Sequence, residues 1–254
     1  MSTFKNTKFF KWIDNYWYHY KWRTLIIAFF ALIVIIASVQ FFTKADVDIY
    51  ILYTGPHVFA VDEIHEVESA FEQVMSGDRN RDGKKTASLQ DITLLTEDQI
   101  LEARREADEM GINLTINTVE MRNMQRQFNT QIFAGEAVIC LLDPYWYAQV
   151  RDSGGFMTLA SVLGEKPPQA LDDYGIRLFD TDFGRYFTAF SKFPDDTVLC
   201  IRVMSTTSIF KGVSKEEERH AFHVQSFRDA LSFRLPEGWT PEASAEPSAS
   251  PAQN

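Results

Sequence analysis

The longest apolar stretch of the chain constrains its structure more than any other feature. Residues 24–42 read TLIIAFFALIVIIASVQFF and contain no charged side chain; their polar members are Thr24, Ser38 and Gln40. A helix of this length rises by roughly 28 Å, close to the ~30 Å hydrocarbon core of a bilayer. Inside lipid a helix satisfies its own backbone hydrogen bonds. The stretch therefore predicts a single transmembrane helix that divides the chain between two compartments.

The charges before this stretch predict its orientation. Residues 1–23 form an aromatic and basic tail in which five Lys and Arg residues accompany one acid, Asp14. Basic flanking residues are retained on the cytoplasmic side of a span. We therefore expect residues 1–23 in the cytoplasm and the C-terminal domain outside the cell, in a single-pass protein of the cell membrane.

A cleaved signal peptide is the alternative interpretation of the same stretch. Its apolar region would be about 7–15 residues long and would be followed by a cleavage site of small residues. Here the apolar run is longer, and bulky Phe41 and Phe42 follow Ser38, Val39 and Gln40. The sequence favours an uncleaved signal anchor.

The composition beyond the span is strongly acidic. Residues 43–254 carry 20 Lys and Arg against 34 Asp and Glu, a net charge of −14. Such a surface repels phosphates, so we expect no nucleic-acid partner. Residues 236–254 are dominated by Pro, Ala, Ser and Glu without an apolar period, which predicts a disordered tail. The folded extracytoplasmic domain is therefore assigned to residues 45–235.

Strands and helices are predicted to alternate along this domain. Apolar or alternating runs predict strands at 46–53, 87–95, 137–142 and 197–203. Helical spacing and capping signals predict helices at 64–75, 96–110, 118–133, 143–150 and 214–233, with 112–116 a short strand or a loop. Because 137–142 is continuously apolar, we expect it to be a buried parallel strand. The alternation predicts an α/β domain with helices on the faces of its sheet.

Five blocks of the sequence occur in an order that resembles a known group of proteins. The blocks are NYWYHYKWRTLI, DIYILYTGP, GDRNRDG, FNTQIFAGEAVICLLDPYWY and FPDDTVLCIR. Together they are similar to uncharacterised single-span membrane proteins of clostridial Firmicutes. The strand–helix–strand start and the Ala134-Gly135-Glu136 turn before a strand resemble extracellular solute-binding proteins of ABC importers. The resemblance implies a domain similar to one solute-binding-protein lobe, with a transporter permease as a possible membrane partner.

The segment from Asp78 to Gly83, DRNRDG, has the spacing of a calcium-binding loop. The side chains of Asp78, Asn80 and Asp82 are two residues apart, and the next ligand would be the backbone carbonyl of Lys84. This spacing directs oxygen ligands to the inside of a tight loop, and Gly83 permits the sharp turn. We therefore predict calcium as a possible cofactor at this loop.

The last ligand of such a loop is missing, which leaves an alternative open. A complete loop needs a bidentate Glu at its twelfth position, and Leu89 stands there. Asp91, two residues further, is a possible substitute if the strand alternates. The alternative is an Asp- and Gly-rich surface turn that binds no ion.

Polar and aromatic residues follow the apolar run 137–142. Asp143, Tyr145 and Trp146 come directly after it, and open α/β sheets bind ligands beyond the carboxyl ends of their strands. These three residues are therefore candidates for ligand binding, with the aromatic rings stacking on a sugar or a peptide. The alternative is a helix N-cap at Asp143 followed by core aromatics.

Two further pairs of residues have the chemistry of a disulfide or a metal site. Cys140 and Cys200 each lie in an apolar strand, where buried free thiols are favoured over a disulfide. His220 and His223 are spaced to share a helical face with Glu216, as in a zinc site, and an exposed capped helix explains them equally well.

The sequence contains no P-loop, nucleophile elbow, dinucleotide fingerprint or H-E-x-x-H motif. We therefore predict a protein that is not an enzyme: a membrane-anchored module that binds a small solute or docks on a membrane partner. The alternatives are a structural interaction protein with a degenerate cleft and, third, an extracytoplasmic hydrolase.

Overall fold

A computed structural model describes residues 8–43, 47–115, 117–204 and 213–240. It divides the chain into two compact units at residue 46. The N-terminal unit contains one long helix, α1 (Lys8–Thr43). The predicted start of the domain at Ala45, the end of the predicted segment 112–116 and the tail residues 241–254 lie outside the described residues.

Helix α1 is longer than the predicted span, because the aromatic segment before Thr24 continues the same helix. Its segment Tyr16–Ile36 is long and apolar enough to cross a membrane, and none of it is buried in protein. A core helix of a soluble domain would bury one face, whereas lipid accepts apolar side chains all round. By length and composition, α1 is therefore a candidate membrane anchor, and a signal sequence has the same properties.

The C-terminal unit is built around a five-stranded mixed sheet. Its strands are β1 (Ile49–Gly55), β2 (Ala87–Thr93), β3 (Ile139–Leu142), β4 (Gly175–Arg177) and β5 (Val198–Ile201). They are arranged in the order β2-β1-β3-β5-β4. β1 pairs in parallel with β2 and β3, whereas β5 runs antiparallel to β3 and β4.

Seven helices complete the described part of this unit. They are α2 (Val61–Val74), α3 (Glu97–Glu109), α4 (Thr118–Ala134), α5 (Pro144–Asp152), α6 (Leu159–Leu163), α7 (Asp182–Tyr186) and α8 (Val213–Ser232). Short 3₁₀ turns cover Leu178–Asp180 and Thr188–Lys192. Two helix starts follow the predicted local signals: the Thr96–Gln99 capping box opens α3, and Asp143 followed by Pro144 opens α5.

Each face of the sheet carries its own apolar core. On one face, side chains such as Ile51 and Tyr53 of β1 belong to the cluster that contains Phe71 of α2 and Phe227 of α8. On the other face, Leu52 belongs to the cluster that contains Phe128 of α4 and Trp146 and Tyr147 of α5. All residues of β3 and β5 are buried, as expected for strands that are covered on both faces.

Two buried polar side chains close gaps in the backbone hydrogen bonding. The β3 pairing begins opposite Ile51, and the N–H of Tyr50 donates instead to Nε2 of His223, at 2.9 Å. The guanidinium of Arg202 donates to the carbonyls of Gln131 (3.0 Å), Ile132 and Gly135 (2.7 Å) at the end of α4. Arg202 is therefore a C-terminal cap that fixes α4 against the sheet.

The α/β class is confirmed, with differences that local patterns do not encode. The segment 137–142 is a buried strand parallel to β1, as predicted, but its other neighbour β5 is antiparallel. β4, α6 and α7 are short elements that the sequence patterns did not predict. Residues 112–115 form no regular element. A likeness to a solute-binding lobe stays a prediction.

Candidate ligand-binding groove

Asp143 stands directly beyond the carboxyl ends of the parallel strands β1 and β3. Its N–H donates to the carbonyl of Thr54 at 2.8 Å, which extends the pairing of the two strands. One carboxylate oxygen accepts from the N–H of Tyr145 (2.9 Å) and caps α5, and the other accepts from Nε2 of Gln99 (2.8 Å) in α3. Asp143 is 4% exposed. It therefore joins the first turns of α3 and α5 more than it faces solvent.

The two aromatic residues after Asp143 have different environments. Trp146 is buried; its Nε1–H donates to the carbonyl of Leu94 at 3.2 Å, and its ring packs edge-on against Phe128. Tyr145 is 50% exposed and contacts the Trp146 ring edge-on, with centroids 4.9 Å apart. Trp146 therefore forms the floor of this region, and Tyr145 is the ring that faces solvent.

A hollow of about 340 Å³ lies on one side of Tyr145 and is mainly apolar. It is enclosed by the end of β2 and by the first turns of α3, α4 and α5. Its lining residues are Leu94, Leu95, Thr96, Glu97, Ile100, Thr118, Met121, Arg122, Gln125, Tyr145 and Trp146. Apolar walls with a few polar groups are typical of small-molecule sites.

A second hollow of about 340 Å³ lies on the other side of Tyr145 and is acidic. Its lining residues are Thr96, Glu97, Asp98, Gln99, Asp143, Pro144, Tyr145 and Asp196. The two hollows share Thr96, Glu97 and Tyr145 as lining residues and are therefore adjacent; we call the pair the groove. The three predicted ligand-binding residues all line the groove, but Tyr145 is half-exposed whereas Asp143 and Trp146 are buried.

The electrostatic field at this edge of the sheet is negative. Burial, together with the carboxylates of Asp143, Asp196 and Asp91, raises the pKa of Tyr53 to about 12. The N–H of His57 donates to the Tyr53 hydroxyl at 3.2 Å and partly offsets this effect. A buried phenol beside three carboxylates stays protonated at neutral pH, so it adds no charge of its own.

The predicted calcium loop forms one turn between α2 and β2, at the opposite end of the sheet. Asp78 accepts two backbone N–H groups of the turn, both at 2.7 Å. Oδ1 of Asn80 accepts from the N–H of Asp82 at 2.9 Å, and Oδ1 of Asp82 accepts from the N–H of Lys84 at 2.8 Å. The side-chain oxygens therefore stabilise the turn through the backbone, which is the arrangement that our alternative describes.

The possible substitute ligand Asp91 does not join this loop. It stands opposite Tyr53 in the β1–β2 register, roughly 13 Å along β2 from Ala87, where the loop enters the strand. Among the described residues, no group of three or more His, Cys, Asp or Glu side chains is placed to hold a metal ion. Calcium bound by Asp78, Asn80 and Asp82 stays a prediction.

The remaining candidate pairs have structural environments. Cys140 and Cys200 are opposite each other across β3 and β5, both fully buried, and both are free thiols. Burial raises the pKa of Cys200 well above its ordinary value. His223 is buried and bonded to backbone on both ring nitrogens, and Nε2 of His220 bonds to the carbonyl of Arg202. The two histidines therefore serve the fold, and the zinc hypothesis has no support here.

Several groove residues were not identified from the sequence. Gln99 completes the capping box of α3, and its amide also binds Asp143, which is 44 residues away. Glu97 and Asp196 lie after β2 and before β5, and neither was identified as a candidate for ligand binding. The rule that strand ends converge at one edge of a sheet would have brought Glu97 into the site, because β2 ends four residues earlier.

Comparisons with known proteins identify no relative: no protein-family model matches the chain, and no curated protein or solved structure is significantly similar to it. The function of the groove is therefore argued from its geometry.

Proposed function

We propose that this protein is a membrane-anchored, non-catalytic module that binds a small solute in the groove. In this proposal α1 is an uncleaved signal anchor, residues 1–23 are cytoplasmic, and the C-terminal unit is outside the cell. The length and composition of α1 support the anchor, and its basic N-terminal flank supports the orientation. The five sequence blocks that resemble single-span proteins with a solute-binding-like domain fit the same proposal.

The observation that carries the proposal is the half-exposed ring of Tyr145 between two hollows. A large aromatic side chain that is left 50% exposed, beside depressions of about 340 Å³, is available for stacking on a ligand. The groove lies beyond the carboxyl ends of β1 and β3, the edge at which open α/β sheets bind their ligands. The volume of each hollow, about 340 Å³, is at the lower end of the range for small-molecule sites.

A second candidate function is docking without a ligand, on a membrane partner such as a transporter permease. The environments of Asp143 and Trp146 favour docking. The Asp143 carboxylate accepts two hydrogen bonds from within the protein, and the Trp146 indole is packed in the core, so neither is free to bind a solute. The same two side chains also support the alternative of a structural interaction protein with a degenerate cleft. A hydrolase is third, because the carboxylates of the groove are not accompanied by a histidine among its lining residues.

A ligand-observed NMR screen of the full-length protein in detergent micelles tests the proposal. The screen uses a mixed set of neutral, anionic and cationic aromatic and sugar-like solutes, each at about 1 mM. We expect hits whose signals are lost in a Tyr145→Ala variant. The matched control is Leu101→Ala, which removes an exposed apolar side chain of α3 that does not line the groove.

The outcome separates binding from docking. Hits that survive Tyr145→Ala, or a complete absence of hits in all three charge classes, would contradict solute binding in the groove. Circular dichroism and thermal melting of both variants confirm that the fold is retained, because each substitution removes an exposed side chain.

A further inference from the structure

The acidic half of the groove has more negative charge than nearby basic groups neutralise. Four carboxylates line it, those of Glu97, Asp98, Asp143 and Asp196. Among the described residues, none of the four forms an ion pair with Lys, Arg or His. Arg122 is the basic residue among the lining side chains of the groove, and it belongs to the apolar half.

The two helix N-termini at this hollow account for only part of that charge. Glu97 and Asp98 occupy the first turn of α3, and Asp143 caps α5. Each helix N-terminus is equivalent to roughly +0.5 elementary charge, so two of them offset about one of the four carboxylates. The carboxylates therefore more than neutralise the partial positive charge of the two helix N-termini, and an additional anion would be repelled. Asp196 lies in the turn before β5 and is exposed, so it is not engaged by either helix.

The apolar half adjoins this charge directly. Ile100, Met121 and the rings of Tyr145 and Trp146 form its walls, and Tyr145 also lines the acidic half. A cation that lies over the face of an exposed tyrosine is attracted by the ring as well as by nearby carboxylates. The volume of about 340 Å³ corresponds to roughly eleven water molecules, so each half holds a group of about ten non-hydrogen atoms.

We propose that the groove binds a small organic cation, an ammonium or guanidinium group attached to an apolar body. The cationic group lies between Glu97 and Asp196, and the apolar body lies against Tyr145 in the neighbouring hollow. Arg122 lines the apolar hollow and not the acidic one, so it repels the positive charge and favours the orientation with the cationic group in the acidic hollow. This inference rests on the proposed function and adds the chemical class of the solute.

Isothermal titration of the full-length protein in detergent micelles with three matched probes tests the ligand class. The probes are 2-phenylethylamine, 2-phenylethanol and 3-phenylpropionate, which share a phenyl body and differ in charge. We expect the amine to bind at least about tenfold more tightly than the alcohol, and the carboxylate to show no binding up to about 10 mM. Added salt weakens binding of the amine, because the carboxylates of the groove are close to solvent.

A charge-matched pair of variants tests the location. The double substitution Glu97→Gln with Asp196→Asn removes two groove carboxylates, and Glu102→Gln with Glu106→Gln removes two carboxylates of α3 that do not line the groove. We expect the first variant to lose about tenfold in affinity for the amine while its affinity for the alcohol is unchanged. The second variant retains wild-type affinity for both. This contrast separates a local interaction from the effect of net charge.

Three results would overturn the inference. One is equal affinity for the amine and the alcohol, the second is tighter binding of the carboxylate, and the third is no binding of the amine. If both double variants lost amine affinity to the same degree, the effect would come from net charge. That result would also contradict binding of the amine between Glu97 and Asp196. If alcohol or carboxylate binding persists and depends on Tyr145, the proposed solute-binding function stands and only the cationic class is wrong. If no solute of any charge class binds in the earlier screen, both fail.

Discussion

The buried imidazole of His223 predicts how the stability of the C-terminal unit depends on pH. Nε2 accepts the N–H of Tyr50 at 2.9 Å, so the ring is neutral, and its other nitrogen, Nδ1, donates to the carbonyl of Arg219 at 2.8 Å. Burial lowers the pKa of His223 to about 4, with a smaller contribution from the positive charges of Arg219, His220 and Arg79. Protonation would replace an acceptor with a donor opposite the N–H of Tyr50.

The sign and the size follow from the difference between the folded and unfolded states. An unfolded histidine has a pKa near 6.5, so between pH 6.5 and pH 4 the unfolded chain binds more protons at this position than the folded chain. The stabilisation is complete above pH 6.5 and is lost as the pH falls toward 4. Integrating this difference gives about 3 kcal/mol less unfolding free energy at pH 4 than at pH 7 from His223 alone.

Urea denaturation of a fragment covering residues 47–240, followed by tryptophan fluorescence at several pH values, measures the effect. His223→Gln lowers stability at pH 7, because the amide cannot make both hydrogen bonds, but it removes the titrating group. The advantage of wild type over this variant should therefore shrink by about 3 kcal/mol between pH 7 and pH 4. His65→Gln is the matched control, since the His65 side chain is 72% exposed. In this variant the unfolding free energy should depend on pH as it does in the wild type. Parallel loss of stability in wild type and His223→Gln would refute the reasoning.

Three further predictions concern other parts of the chain. Arg202→Met should destabilise the same fragment by about 3 kcal/mol or more in urea, because it leaves carbonyls at the end of α4 without their buried donor; an unchanged midpoint would show that the cap is dispensable. If the turn at residues 78–84 binds calcium, a calcium concentration of about 100 times the dissociation constant should stabilise the fragment by roughly 2.7 kcal/mol. The double substitution Asp78→Asn with Asp82→Asn should abolish this stabilisation. Equal melting temperatures in EDTA and in about 10 mM calcium would show that the turn binds no ion. Cysteine labels at Ser2 and Ser244 should react from opposite sides of intact cells, and an N-terminal tag should stay on the full-length membrane band; labelling of both from outside, or release of a shortened soluble form, would contradict the signal anchor.

The sequence predicted what is determined locally. The Thr96 capping box and the Asp143-Pro144 start were identified because the signals for a helix start lie within four residues. Burial of residues 137–142 was predicted from their continuous apolar character. The direction of β5 was not predicted, because side-chain periodicity is the same in parallel and antiparallel strands. The bond from Gln99 to Asp143 was not predicted either, because it joins residues that only the sheet order brings together.

The bond between Gln99 and Asp143 has a consequence for how fast the groove could respond to a solute. It holds the first turns of α3 and α5 together, with the amide nitrogen of Gln99 2.8 Å from a carboxylate oxygen of Asp143. Sites that are assembled in advance exchange ligands without a slow closing step, and their backbones move by about 1 Å or less on binding. If the groove binds a solute as proposed, its occupancy would then follow the solute concentration without a delay for closure. A partner protein that detects the bound state would then have to contact the solute itself, because solute binding would cause no closing motion.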